Sequence, residues 1–228
     1  MLLLTNDDGI DSPGLQALWD STSALGLERI VVAPSSPISN CGHAVTTREP
    51  IRFEYVRPGW IAVCGTPADC VRLAIRVLVQ RTSIVLSGIN AGGNLGSDVH
   101  HSGTVAAARE ASLHGLPAIA ISHYRARGRD LDWSRASRWT ARVLDELIQQ
   151  KHPPRSFWNV NLPHPESPSE EPALTVCQLD PSPLPLEFEV EGNRARYNGT
   201  YQNRARLPGH DVDVCFGDAI AATLLFLP

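Results

Sequence analysis

The feature that most constrains this chain is a repeated unit: a short, wholly apolar run that stops at a polar or glycine-bearing loop. Leu2-Leu3-Leu4 runs into Asn6-Asp7-Asp8-Gly9, and Ile30-Val31-Val32-Ala33 is closed by Pro34. Ile61 to Cys64, Ile84 to Leu86 and Ala118 to Ile121 have the same texture, and Asn159 to Leu162 looks like one more strand. The clearest of these runs do not alternate apolar with polar residues, so they are expected to be strands buried on both faces. Strands of that kind occur in parallel sheets sandwiched between helices.

Helix signals lie between the runs. Ser12 reads as an N-cap with Pro13 at the first helical position, ahead of Leu15, Leu18, Trp19, Thr22 and Leu25. Thr66-Pro67-Ala68-Asp69 has the spacing of a capping box, opening a helix with Val71, Ala74, Ile75 and Leu78 inward. Helices are also expected over Thr104–Leu113, ended by Gly115, and from about Asp132 to Gln150. The fold class is therefore α/β, a Rossmann-like, doubly wound, mostly parallel sheet. Residues 1–162 would form the catalytic core. After Pro163 prolines are frequent, and Thr175–Leu179 and Phe188–Val190 suit hairpins or an arm. Residues 163–228 are thus expected to be a C-terminal strand and hairpin extension engaged in oligomer contacts.

Composition removes several function classes. Twenty Lys and Arg against 24 Asp and Glu give a net charge of −4, so the basic surplus of a polyanion binder is missing. The only lysine is Lys151, which excludes a Walker-type phosphate loop and disfavours Schiff-base chemistry. Five cysteines without C-x-x-C spacing fit neither a zinc site nor a disulfide framework, and suit a reducing cytoplasm. The N-terminal apolar run lacks the form of a signal peptide, and no run approaches the roughly 20 residues of a membrane helix.

Ligands of open α/β sheets bind beyond the carboxyl ends of the strands. Four loops at such ends carry polar chemistry here. Adjacent Asp7 and Asp8 repel each other, which a hard divalent cation relieves, although Asp-Gly is also an ordinary turn pair. The loop from Ser35 to His43 offers Ser39 and Asn40. The run from Ser87 to Gly96 lets backbone approach a ligand and presents Asn90, yet it fits neither the dinucleotide nor the phosphate-loop pattern. His101-Ser102-Gly103-Thr104 precedes a helix, where free N–H groups and the dipole bind phosphate, or where Ser and Thr merely cap. Together the four loops suggest a metal-plus-phosphate site.

The strings LLLTNDDGIDSPG, VVAPSSPISNCGHAVT, GTPADCVRLAI, SGINAGGNLGSDVHHSGTVAAAREA, LPAIAIS and NVNLP resemble the SurE (survival protein E) nucleotidases. The resemblance covers Met1 to about Ser122 strongly and reaches Leu162. It implies a divalent-metal-dependent phosphomonoesterase acting on nucleoside 5′-monophosphates, with 3′-monophosphates and polyphosphate as further substrates. It implies one metal ion per subunit, magnesium or manganese, held by Asp7, Asp8, Ser39 and Asn90. Phosphate would meet Ser102, Gly103 and Thr104, with Asn6, Gly42, His43 and Asn94 completing the substrate site. A homodimer or homotetramer is expected, with no membrane and no stable nucleic-acid complex.

The expected reaction is attack by metal-activated water, with Asp7 and Asp8 as catalytic carboxylates and His101 as the general acid. A histidine at a helix start can equally just bond backbone. Haloacid-dehalogenase-like phosphatases need a second Asp two residues after the nucleophile, where Gly9 stands, and a lysine near the site. A non-catalytic nucleotide-binding module and a nucleic-acid binder using Arg125, Arg127, Arg129, Arg135 and Arg138 are the other readings. Those arginines are more simply a solvated face.

Overall fold

The computed structural model describes residues 1–38, 41–79, 81–150, 152–166 and 171–227. The apolar runs form strands β1 (Leu2–Thr5), β2 (Arg29–Pro34), β4 (Trp60–Val63), β5 (Ile84–Asn90), β6 (Ala118–His123) and β7 (Ser156–Leu162). Helices α1 (Pro13–Ser21), α2 (Pro67–Leu73), α3 (Gly103–Leu113) and α4 (Trp133–Leu147) connect them. The six strands are mutually parallel in the order β4-β2-β1-β5-β6-β7. That is the doubly wound order, and the direction of winding reverses between β1 and β5.

Burial follows the pleat. Leu2 and Leu4 face a core built with Leu15 and Leu18 of α1 and Trp139, Val143 and Leu147 of α4. Leu3 faces the opposite core, with Cys70 and Val71 of α2 and Val105, Ala107 and Ala108 of α3. Both faces are covered, which is why an apolar residue is needed at every position of the strand. Each fully buried leucine contributes about 1.5–3 kcal/mol. On β6, Ile119 and Ile121 face α1 and α4, while Ala118 and Ala120 face the alanine-rich α3. Small residues on both partners bring α3 close to the middle of the sheet.

The caps form as the sequence predicts. Ser12 accepts from the Leu15 amide, and Thr66 with Asp69 makes a reciprocal capping box. Asp132 caps α4, which runs to Leu147, three residues short of the expected end. The second helix also departs from expectation: after Leu73 it widens into a π turn over Ala74–Leu78.

Beyond Leu162 the chain returns to the sheet. β11 (Ile220–Phe226) pairs antiparallel with β7, and β8 (Leu174–Val176) lies parallel to β11 at the sheet edge. The stretch containing Thr175 is thus an edge strand rather than a hairpin. The hairpin is β9 (Phe188–Glu191) with β10 (Arg194–Tyr197), a separate two-stranded ribbon. β3 (Phe53–Arg57) extends the other edge antiparallel to β4, and α5 (Asp211–Phe216) precedes β11. Among the described residues no helix is long and apolar enough to cross a membrane. Arg129 is spent on the carbonyls of His164 and Pro165, and Arg135 stacks over Trp139.

Candidate active site

The loops after β1 and β5 leave in opposite directions at the winding reversal, and a cavity of about 390 Å³ opens between them. Asp7, Asp8, Asn90, Asn94, His101, Ser102 and Gly103 line it. Seven residues expected from three separate loops therefore share one space. Ser39 lies outside the described residues.

Asp7 is held from behind. Thr104 on α3 donates its hydroxyl to Asp7 Oδ1 at 2.5 Å, and the Asp7 carbonyl accepts from the Ile38 amide. α3 can start this close because residue 103 is glycine. A Cβ there would lie 2.9 Å from Asp7 Cβ and 3.1 Å from Cys41 Sγ. Asp8 accepts from the Ala91 amide at 3.2 Å, tying the β1 loop to the glycine-rich loop.

Burial pushes the Asp7 carboxyl up to about 6, and the neighbouring Asp8 charge adds to the rise against the Thr104 hydrogen bond. Burial raises Asp8 as well. Among the described residues neither has a cationic partner. Nor do three or more His, Cys, Asp or Glu side chains gather anywhere among them to hold a metal. The donors here are instead two carboxylates and an amide. Asn90 Nδ2 donates to the Gly92 carbonyl at 2.8 Å, so Oδ1 is the atom it has to offer a cation. An all-oxygen set with unrelieved negative charge fits a hard divalent ion.

The start of α3 supplies the anion side. Ser102 is its N-cap, accepting from the Val105 amide, and both Ser102 and Gly103 face the cavity. The Thr104 side chain is fully buried and engaged by Asp7, so only its backbone remains to meet a phosphate. His101 is exposed at the cavity rim.

The other expected residues stand behind the lining. Asn6 donates to the Gly9 carbonyl and Ser12 Oγ, bracing the turn that carries Asp7 and Asp8. The Gly42 amide bonds the His101 carbonyl. His43 Nε2 lies 2.7 Å from Glu110 Oε2, and His114 and Arg72 also reach that carboxylate. Burial works to raise Glu110, but the hydrogen bonds with His43 and His114 prevail and hold it below the usual carboxylate range. The Asn94 amide donates to Ser122, so although it borders the cavity its side chain already has a partner.

Several residues escaped sequence reasoning. Asn159 and Asn161 both donate to the Asn94 carbonyl, and Asn161 accepts from the Asn94 amide at 2.8 Å. Two amides at alternating positions of an otherwise apolar strand were the available signal, since they share one face. Asp98 also lines the cavity, and Leu184 reaches it from the segment after β8.

The chain resembles known proteins over most of its length. Residues 2–181 match the family described as Survival protein SurE. A protein of Nostoc sp. is 50% identical over 224 residues, 98% of each chain. A Myxococcus xanthus protein named 5′-nucleotidase SurE is 44% identical over 221 residues, covering 95% of this chain and 83% of the relative. The crystal structure of the SurE protein from Aquifex aeolicus superposes with a TM-score of 0.87 at 29% identity. That match covers 100% of this chain and 93% of the other.

Proposed function

The chain belongs to the SurE family of phosphatases, and we propose that it is a divalent-metal-dependent phosphomonoesterase that converts nucleoside 5′-monophosphates to nucleoside and phosphate. The observation that carries this reading is the pair Asp7 and Asp8, without a cationic side chain among the described residues, bordering one cavity with the N-terminus of α3. Relatives named 5′-nucleotidase support the choice of substrate.

Asp7, Asp8 and Asn90, together with Ser39, are the residues that would hold magnesium or manganese. When bound, such an ion lowers the pKa of water and offsets charge on phosphoryl oxygens. The chain's own groups do the rest. Thr104 fixes the rotation of Asp7, and Ala91 that of Asp8, so the carboxylates are oriented before substrate arrives. A carboxylate there can orient the attacking water and accept its proton. The backbone amides at the start of α3 meet the phosphoryl oxygens with fixed dipoles. The bond from phosphorus to the ribose oxygen breaks as the water oxygen bonds to phosphorus. His101, at the rim, donates the proton the leaving oxygen needs.

Nucleoside 3′-monophosphates and polyphosphate are secondary substrates in this reading, and the site of action is the cytoplasm. The β9–β10 ribbon, with Phe188 and Val190 exposed, is the surface through which a homodimer or homotetramer would form. Phosphate release from a panel of 5′- and 3′-monophosphates, with Mn²⁺, Mg²⁺, Zn²⁺ or EDTA, tests the proposal. Turnover that needs added divalent ion and vanishes with EDTA is expected. Folded protein that is silent under every metal would move the reading to a binding module.

A further inference from the structure

The catalytic cavity does not end at Asp8. A second cavity of about 410 Å³ adjoins it, with Asp8 and Ala91 lining both. It is lined by the turn and first residues of α1, by Ser35 to Pro37 after β2, and by Trp133. The two spaces are chemically unlike. The first is lined by carboxylates, amides and a helix start. The second is lined mainly by carbon, from Ile10, Pro13, Pro37, Ala91 and Trp133. Both volumes fall within the range usual for small-ligand sites.

Trp133 is built into this position. It begins α4, is partly buried against the core, and contacts α1 at Gly14. A Cβ on residue 14 would come 2.0 Å from the Ile89 carbonyl oxygen and 3.1 Å from Trp133 Cη2. Glycine at 14 therefore lets the indole and the end of β5 close on the same point. The ring borders the cavity from there.

Resting on the nucleotidase reading, we propose that this second cavity is the nucleobase subsite, with the base stacked against Trp133 and the ribose passing over Asp8. A flat aromatic group attached to a phosphoester fits an apolar slot beside a phosphate site, and an indole wall is a stacking partner for any base. An anionic tail does not fit. Among the described residues no lysine or arginine lines the slot, and Asp8 and Asp11 border it. A polyphosphate chain entering there would place its charge against carboxylates and carbon. The slot thus selects nucleosides over phosphate chains.

The test compares adenosine 5′-monophosphate with ribose 5-phosphate, which carries the same ester without a base. Trp133→Ala is expected to raise KM for the nucleotide about tenfold to a hundredfold and to leave ribose 5-phosphate turnover unchanged. Trp133→Phe should restore much of the affinity. Ser36→Phe, at an exposed lining position, introduces a bulky ring into the slot and should act like Trp133→Ala without touching the core. Adenosine, lacking phosphate, should quench tryptophan fluorescence in the wild type and fail to do so in Trp133→Phe. Equal effects on both substrates, no effect on either, or a quench that survives Trp133→Phe would overturn the subsite. A Trp133-dependent quench in a protein that hydrolyses neither ester would support the subsite and defeat the phosphatase reading instead.

Discussion

Two acidic clusters flank the glycine-rich loop after β5, and they are resolved in opposite ways. Asp98 accepts from Arg204 Nη1 at 2.8 Å, the Tyr201 hydroxyl at 2.6 Å and the Leu95 amide. Close by, Asp211 accepts from the amides of Gly96, Asp180 and Val212. Burial and the Asp98 charge push the Tyr201 phenol above its ordinary range, so it stays a donor. In this cluster every carboxylate is met by cations, hydroxyls or amides from the chain itself. Asp7 and Asp8, on the other flank, have one hydroxyl and one amide between their side chains and no cationic side chain among the described residues. The satisfied cluster fastens the C-terminal segment to the loop. The unsatisfied one is where the proposed divalent cation would sit. Burying acids is common to both, and what distinguishes a site from a strut is whether the chain provides the counter-charge.

That contrast can be broken experimentally, beginning with its largest consequence. Asp8→Asn should lower nucleotide turnover by at least about a hundredfold, the upper end of what losing a mere supporting residue costs. The fold should be kept, because the substitution removes an uncompensated charge. Phosphate release and thermal melting measured together check it, and undiminished activity would remove Asp8 from the ligand set. Arg204→Met should do the reverse. It strands Asp98 without its cation and should cost about 3–5 kcal/mol of stability, read by urea denaturation.

The pH dependence of the metal-free protein sharpens the same point. Asp7 has a folded-state pKa near 6, above its ordinary 3.8, so the fold favours its protonated form. Its contribution is present below about pH 3.8 and is lost as pH rises through 6, a change of about 2 kcal/mol after allowing for partial exposure. His123 has the opposite slope. Burial first, then the charge of His164, lowers it to about 4, so its contribution is present above 6.5 and lost as pH falls toward 4. Urea titrations of chelated Asp7→Asn against wild type should diverge steadily between pH 4 and 7. The smallest effect is expected from Glu110→Gln. It weakens the bond to His43 and should cost about 1 kcal/mol, with a modest fall in activity through the loop that His43 anchors.

The parallel sheet was legible because strands buried on two faces need continuous apolar runs, as Leu2 to Leu4 and Ile84 to Leu86 show. Capping chemistry at Ser12 and Thr66 was legible because each cap is local. β11 carries a mostly apolar run, Ile220 to Phe226, but its place between β7 and β8 depends on pairing across distant sequence, which no local pattern reveals. The same applies to Asn159 and Asn161, whose partner Asn94 is more than 60 residues away. In the site, motif order picked out Asp7, Asp8, Asn90, His101, Ser102 and Gly103, all of which border one cavity. It could not show that the Thr104 hydroxyl serves Asp7, or that His43 points to Glu110. Those are consequences of packing α3 against the loops.

The most direct test of the account is a melting curve of the chelated protein against added Mn²⁺ or Mg²⁺, run for wild type, Asp8→Asn and Asp98→Asn. If the charge at Asp7 and Asp8 awaits a cation, micromolar to millimolar ion should raise the wild-type melting temperature by several degrees. Asp8→Asn should lose that response, and Asp98→Asn should melt lower yet keep it. A wild type indifferent to both ions, or an Asp8→Asn variant that responds as the wild type does, would contradict it.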